Sequence, residues 1–484
     1  MFPMFQYFNT RFPLFIKHAL VSFFILVLHS LALAQTSFAQ SSTQSEVSAV
    51  TSLARAALPR GSAREFGPAP TVPEGPLSAE VQVAVEKIFI EGVETGWGAE
   101  QDEALDVVKE SNDPRLAWIV ADIMRFAPGR TLSQELNTTI TKLLNFDNSG
   151  EVSQWNDATN RLMAWNIPEP PNYLKYKSSI FTKILPEWKP IFVEGDIDWR
   201  FVSWGGVRID DRAFDQTDDP CNCIPAADNP PVTDAKSATW LDDDAVVFGI
   251  ALNGEARAYP RQIMEVREMV NDTLGGRDLG IPYCTLCGAA QAWFTDEVPE
   301  GVARPVLRTS GLLSRSNKVM FDLNTFSVFD TFRGHAVTGP LLEKGIKLNQ
   351  ASVVTTTWGE WKKSHPNTTV LEERLALGRD FDFRNGRDSK GPIFPIGDVD
   401  PRLPVQEDVL GVITASGKPI AFHVASLIKV LDAGEKVQVE NVEIVLAAGG
   451  VKAIDKDGKD LGTHQAFWFA WSQFHPKTLL WPEI

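Results

Sequence analysis

The chain has 484 residues, with 46 Lys and Arg against 62 Asp and Glu, giving a formal net charge of −16. At 44% apolar and 22% charged residues the composition is globular, which excludes a collagen-like, wholly disordered or multi-span membrane chain. The acidic balance argues against nucleic acid as a partner, since phosphate binding needs a basic face. Four cysteines, all within Cys221–Cys287, are too few for a disulfide-dense scaffold.

In chain order, Arg11, Lys17 and His18 precede an apolar run of 16 residues, Ala19–Ala34, broken by Ser22, His29 and Ser30. Ala32-Leu-Ala34 and Ser37-Phe-Ala39 then offer small-residue cleavage sites, so residues 1–34 are expected to be a signal peptide. The run falls short of the ~20 residues that span a bilayer, and no second long apolar segment follows. The mature chain is therefore expected to be exported, periplasmic or extracellular, with no stable membrane span after cleavage. Residues 35–76, rich in Gln, Ser, Thr and then Pro, read as a disordered linker.

Residues 77–170 read as a helical module. Val81, Val85, Ile88 and Phe89 form one apolar stripe at helical spacing; Leu116, Ile119, Val120 and Ile123 form a second, and Leu136, Ile140, Leu143 and Leu144 a third. Asn112–Phe126 resembles one unit of a HEAT-type repeat. A helical stack without His, Cys or a Gly-rich loop is expected to be a scaffold, or a docking surface for a protein partner.

From 171 to 484 the texture becomes short alternating or β-branched runs, including Ala245–Leu252, Ala256–Tyr259, Lys318–Asp322 and Val409–Thr414. Asn253-Gly254 and Ser416-Gly417 supply turns between them. The expected fold class is α+β: a helical, HEAT-like N-terminal module followed by a mainly antiparallel β domain. That domain carries an internal duplication. Trp358-x-x-Trp361-x-x-x-His365-Pro-x-Thr368 returns as Trp468-x-x-Trp471-x-x-x-His475-Pro-x-Thr478, an offset of 110, with copies at about 240–370 and 402–480. The repeated Trp and His read as architectural corners.

Cys284-Thr-Leu-Cys287 lies in the first copy only. Two thiols at this spacing close a small disulfide ring whose potential depends on thiolate stabilisation. Gly288 replaces the His of a c-type haem site. Cys221-Asn-Cys223 adds two sulfurs, so all four could complete a tetrahedral zinc site or, being soft ligands, hold copper. Structural disulfides in an oxidising compartment are the third reading.

Ile224-Pro-Ala-Ala-Asp-Asn-Pro230, Gly254-Glu-Ala-Arg-Ala-Tyr-Pro260, Val270-Asn-Asp-Thr-Leu-Gly-Gly276 and Tyr283-Cys-Thr-Leu-Cys-Gly288 occur in that order. Ser310-Gly-Leu-Leu313, Gly339-Pro-Leu341, Thr356-Thr-Trp358 and Phe467-Trp-Phe-Ala-Trp-Ser-Gln-Phe-His-Pro476 follow them. Over about residues 200–480 the set closely resembles the domain of unknown function DUF3179. Some members of that family are labelled selenoproteins. The resemblance therefore implies that selenocysteine can stand in the CxxC-like motif, which favours redox chemistry at Cys284 and Cys287. It also implies two departures: Arg267 stands where a His is expected, and Phe329 where a Trp is usual.

The leading expectation is thiol-dependent redox activity, a thiol–disulfide oxidoreductase with Cys284 and Cys287 as catalytic residues. The more exposed of the two attacks and the other resolves. Cys221 and Cys223 serve as auxiliary thiols, with Arg267, Tyr283 and His335 as modulators. This reading needs no cofactor. The alternatives are zinc or copper held by Cys221, Cys223, Cys284 and Cys287, and a protein-binding module stapled by disulfides. Asp455-Lys-Asp-Gly-Lys-Asp460 reads as a hairpin turn, because Ala466 stands where a calcium loop needs Glu.

Overall fold

The computed structural model describes residues 66–127, 129–147, 154–216, 221–372 and 391–482. The expected signal peptide and the linker up to residue 65 lie outside the described residues. The linker's Pro-rich end is laid against the helices. Phe66 and Gly67 carbonyls accept from Arg161 Nη1 (3.3 Å) and Trp165 Nε1 (3.0 Å), and Gly75 O accepts from Arg115 Nη1 (2.8 Å).

The protein is α+β. Helices Ala79–Glu86, Ala99–Glu110, Ala117–Met124, Arg130–Leu144 and Gln154–Ala164 come first. All twelve stripe residues named above are buried, so the 3.6-residue periodicity was a core signal. Asp113 caps Arg115 N (3.0 Å) ahead of Pro114, and Trp118 donates Nε1 to Ile167 O (2.8 Å). One more helix, Tyr173–Ile184, follows the Pro168–Pro171 break, beyond the boundary expected at 170. Its Tyr173, Tyr176, Ile180 and Phe181 extend the helical core. That core continues without a gap into Val202, Leu312, Val319, Phe321 and Val328 of the first sheet.

Among the described residues five sheets follow, and adjacent strands pair antiparallel in most cases. Two of the sheets have the same connectivity. In one, Val246–Leu252 pairs antiparallel with Val354–Thr357 and with Glu255–Pro260, which runs parallel to Thr369–Leu371. In the other, Asp408–Ile413 pairs antiparallel with His464–Phe467 and with Pro419–His423, which runs parallel to Leu479–Trp481. Each first strand holds a glycine, Gly249 or Gly411, whose Cβ would overlap the indole of Trp361 or Trp471. Each indole donates Nε1 to a threonine, Thr368 or Thr478, at 2.9 Å. His365 and His475 pack against these rings, tilted by 45° and 42°, with centroids 4.3 and 4.2 Å apart.

Another sheet carries the cysteine hairpin, and the first sheet lies beside it through Leu307–Ser314 and Asn317–Asp322. Asp455–Asp460 closes a hairpin, with Asp455 N donating to Lys459 O (2.9 Å) and Gly458 left-handed at φ +78°.

Candidate functional site

The chain reaches Cys284 along the strand Arg277–Cys284, paired residue for residue with Met269–Leu274 from Met269↔Pro282 to Leu274↔Arg277. Gly275 and Gly276 make the hairpin turn at φ +57° and +71°, a conformation that glycine adopts without penalty. Thr285–Gly288 then folds the chain back so that Ala289 and Ala290 pair with Cys284 and Tyr283. Gly288 is left-handed at φ +63°, and a Cβ there would stand 3.1 Å from the Phe467 ring. Phe467 N also donates to Cys287 O (2.8 Å), which locks the turn against the other sheet.

Cys284 and Cys287 are joined in a disulfide, with exposures of 2% and 0%. They lie in an apolar cluster with Phe332, Phe467, Trp468 and Trp471. Cys284 is the more exposed of the two, though only slightly, and in this oxidised state both lie beneath the Phe467 corner.

One polar residue reaches this turn from the side. Helix Arg261–Arg267 ends at Glu268, a non-glycine residue at φ +48° whose N–H still bonds Met264 O (2.8 Å). Left-handed backbone at such a residue is strained and concentrates at functional sites. The Glu268 carbonyl accepts the Tyr283 N–H at 2.9 Å, and its Oε1 accepts the Thr285 hydroxyl at 2.9 Å. Both chain neighbours of Cys284 are therefore tied to Glu268. Its Oε2 lies 2.7 Å from Lys318 Nζ, which also donates to the Glu268 carbonyl at 2.7 Å. Both side chains are buried, and desolvation pushes the Lys318 ammonium below its usual range against the pull of Glu268. Reducing a disulfide to two thiols consumes two protons. The ammonium of the pair bonded to this turn has one proton to give and its carboxylate can accept one, so the pair can relay protons singly.

Arg267, expected to modulate the thiols, points elsewhere. Its Nη1 donates to Ala226 O (3.2 Å), and the side chain lines a cavity of about 270 Å³ with Asp215, Asp228 and Asn229. Its neighbour Glu268 makes the contact instead, since adjacent residues at a helix end project in different directions. Tyr283 is buried against Phe248 at 4.8 Å between centroids. His335 lines a separate recess, where burial, Lys347 and Arg333 lower its pKa.

Cys221 and Cys223 form a second, partly exposed disulfide. Among the described residues, Asp210, Cys221 and Cys223 are the group whose ligand atoms lie within 4.8 Å of one another. Cys284 and Cys287 are not part of it, so the four sulfurs expected to share an ion are not gathered here. The Asp210 carboxylate is occupied by Arg212 Nε (2.7 Å) and Nη2 (2.8 Å) and by Ala226 N–H (2.8 Å).

The disulfide's cluster also adjoins two buried imidazoles. Gln350 Nε2 donates to His464 Nδ1 (2.8 Å), and His475 packs on Trp471. Burial holds both at about 3, helped by His475 for His464 and by Arg333 for His475. In the unfolded chain each takes its proton near ~6.5. Their contribution is thus fully present above that pH and is lost as pH falls toward 3. Between ~pH 6.5 and 5, above the usual carboxylate range, unfolding stability should drop by up to about 1.4 kcal/mol per unit for each ring. His464→Gln should flatten that slope in urea titrations; a profile already flat in the parent protein would refute the account.

A family model described as a protein of unknown function, DUF3179, matches residues 221–462. The chain belongs to the DUF3179 family. The DUF3179 match begins at Cys221 and contains all four cysteines, Glu268 and Lys318. Comparisons with curated proteins and with solved structures gave no match.

Proposed function

We propose that this DUF3179 protein is an exported thiol–disulfide redox protein acting through Cys284 and Cys287. The observation that carries the reading is Glu268, bonded on both sides of Cys284 and ion-paired to Lys318 in a buried environment. A purely structural staple needs no ionisable pair, and burying one is costly. A partner dithiol supplies the electrons: its thiolate attacks one sulfur, the Cys284–Cys287 bond breaks, and the other cysteine leaves as thiolate. The second partner thiol then resolves the mixed disulfide, which leaves the partner oxidised and two protons on the protein's thiols. Access requires the Phe467 corner to move. The equivalent corners of the two Trp-bearing sheets support reading the second as a copy without the cysteine hairpin. The segment 1–34 supports export.

Burial of both sulfurs favours a second reading, a structural disulfide. Titration with dithiothreitol, followed by alkylation and mass spectrometry, separates the two. Redox function predicts reversible reduction of Cys284–Cys287 with near-UV dichroism retained, and a mixed disulfide trapped by Cys284→Ser or Cys287→Ser. Reduction that occurs only with unfolding would leave the staple. A metal reading draws on Asp210, Cys221 and Cys223 once that disulfide opens. Stoichiometric zinc or copper in protein purified without added metal would place it first.

A further inference from the structure

A recess of about 410 Å³ opens where the hairpin turn Ser314–Lys318 meets Phe201, Asp330–Thr331, His335 and Phe474. Its charged groups are mostly paired. Asp198 is held by Arg200 Nη2 (2.5 Å). Asp330 accepts the N–H groups of Phe332 and Arg333 (3.0 Å each) and faces Arg333 Nε (3.3 Å). Lys318 is bound to Glu268, while Asp196 stands in solvent.

Arg315 is the exception. Among the described residues no carboxylate lies within ion-pair distance of its guanidinium. Its side-chain hydrogen bond runs from Nη1 to Ile396 O at 3.4 Å, and its planar group lies 3.9 Å from the Phe201 ring centre. Burial lowers it to about 10. The turn that presents it is itself unusual. Ser314 pairs with Asn317, so Arg315 and Ser316 form a two-residue hairpin turn at φ +46° and +65°. Such turns ordinarily use Asn and Gly. Two ordinary residues held left-handed are strain, which points to a role for the side chains.

We propose that this recess binds a small molecule bearing a carboxylate or phosphate, with the Arg315 guanidinium as its anchor. An unpaired, desolvated guanidinium supplies a fork of N–H donors matched to either oxyanion. The volume lies within the range of small-molecule sites. Arg333 and His335 edge the same recess and provide further donors. The inference does not depend on cysteine chemistry, although Lys318 is a wall of the recess and the partner of Glu268.

The test is isothermal titration and hydrogen–deuterium exchange of the purified protein with inorganic phosphate and, separately, with succinate. The expected result is saturable binding of at least one probe, with slowed exchange in the peptide containing Ser314–Lys318. Binding of phosphate alone assigns a phosphate ligand, and of succinate alone a carboxylate. Arg315→Gln should weaken binding by at least about tenfold, as loss of a charged hydrogen-bond partner does. Its ligand-free melting temperature should be unchanged or higher, because the variant no longer buries an unpaired cation. Slowed exchange only elsewhere, no binding of either probe, or equal binding by Arg315→Gln overturns the proposal. Should that variant fail to fold, the exchange footprint on the parent protein decides.

Discussion

Glu268→Ala is expected to cost about 3–5 kcal/mol of folding stability, the range for removing one member of a buried ion pair. Lys318, 6% exposed, would be left as an uncompensated ammonium, and the Thr285 hydroxyl and the left-handed corner would lose their tie. Stability alone would not separate a redox role from a structural one. The double replacement Glu268→Gln with Lys318→Met does. Exchanging both charges for neutral groups of similar size should restore most of the stability, while Gln can still accept from Thr285. If the pair manages protons for the disulfide, the double variant should show a changed pH dependence of the Cys284–Cys287 midpoint against dithiothreitol. A midpoint and pH slope identical to the parent's would reduce the pair to a structural clasp.

The next largest losses are expected at the tryptophan corners. Trp471→Ala should cost about 3–5 kcal/mol, as deletion of a fully buried indole does. The ring is 1% exposed, donates to Thr478 and fills the space over Gly411. The reciprocal change, Gly411→Ala, forces a methyl into that indole and should cost at least about 1–3 kcal/mol through overpacking. Gly249→Ala should behave alike against Trp361, since the two corners have the same contacts. Urea unfolding of the three variants checks this, and glycine variants within about 0.5 kcal/mol of the parent would contradict it.

Much of this architecture could be read along the chain. Helical stripes, β-branched runs and the Asn253-Gly254 turn are local signals, and the elements stand where those signals placed them. The CxxC was equally visible, because its spacing is chemical information. Its protonic surroundings were not. Glu268 meets Thr285 across 17 residues through the register of one hairpin, and Lys318 across 50 through the packing of a second sheet against it. Lys318 was also hidden by strand periodicity. A lysine in Asn317–Asp322 should face water, yet every residue of that strand is buried because both of its faces are covered. The helix Tyr173–Ile184 was obscured by the prolines before it, although Tyr173, Tyr176, Ile180 and Phe181 carry a helical spacing.

The core that runs from the helices into Leu312, Val319 and Phe321 also bears on how the molecule responds to heat. Layers that share interior side chains lose them together. Scanning calorimetry should therefore show the helices and the adjoining sheet melting in one transition, not as separable peaks. A molecule that binds the helical surface would then raise the melting point of the sheet without touching it.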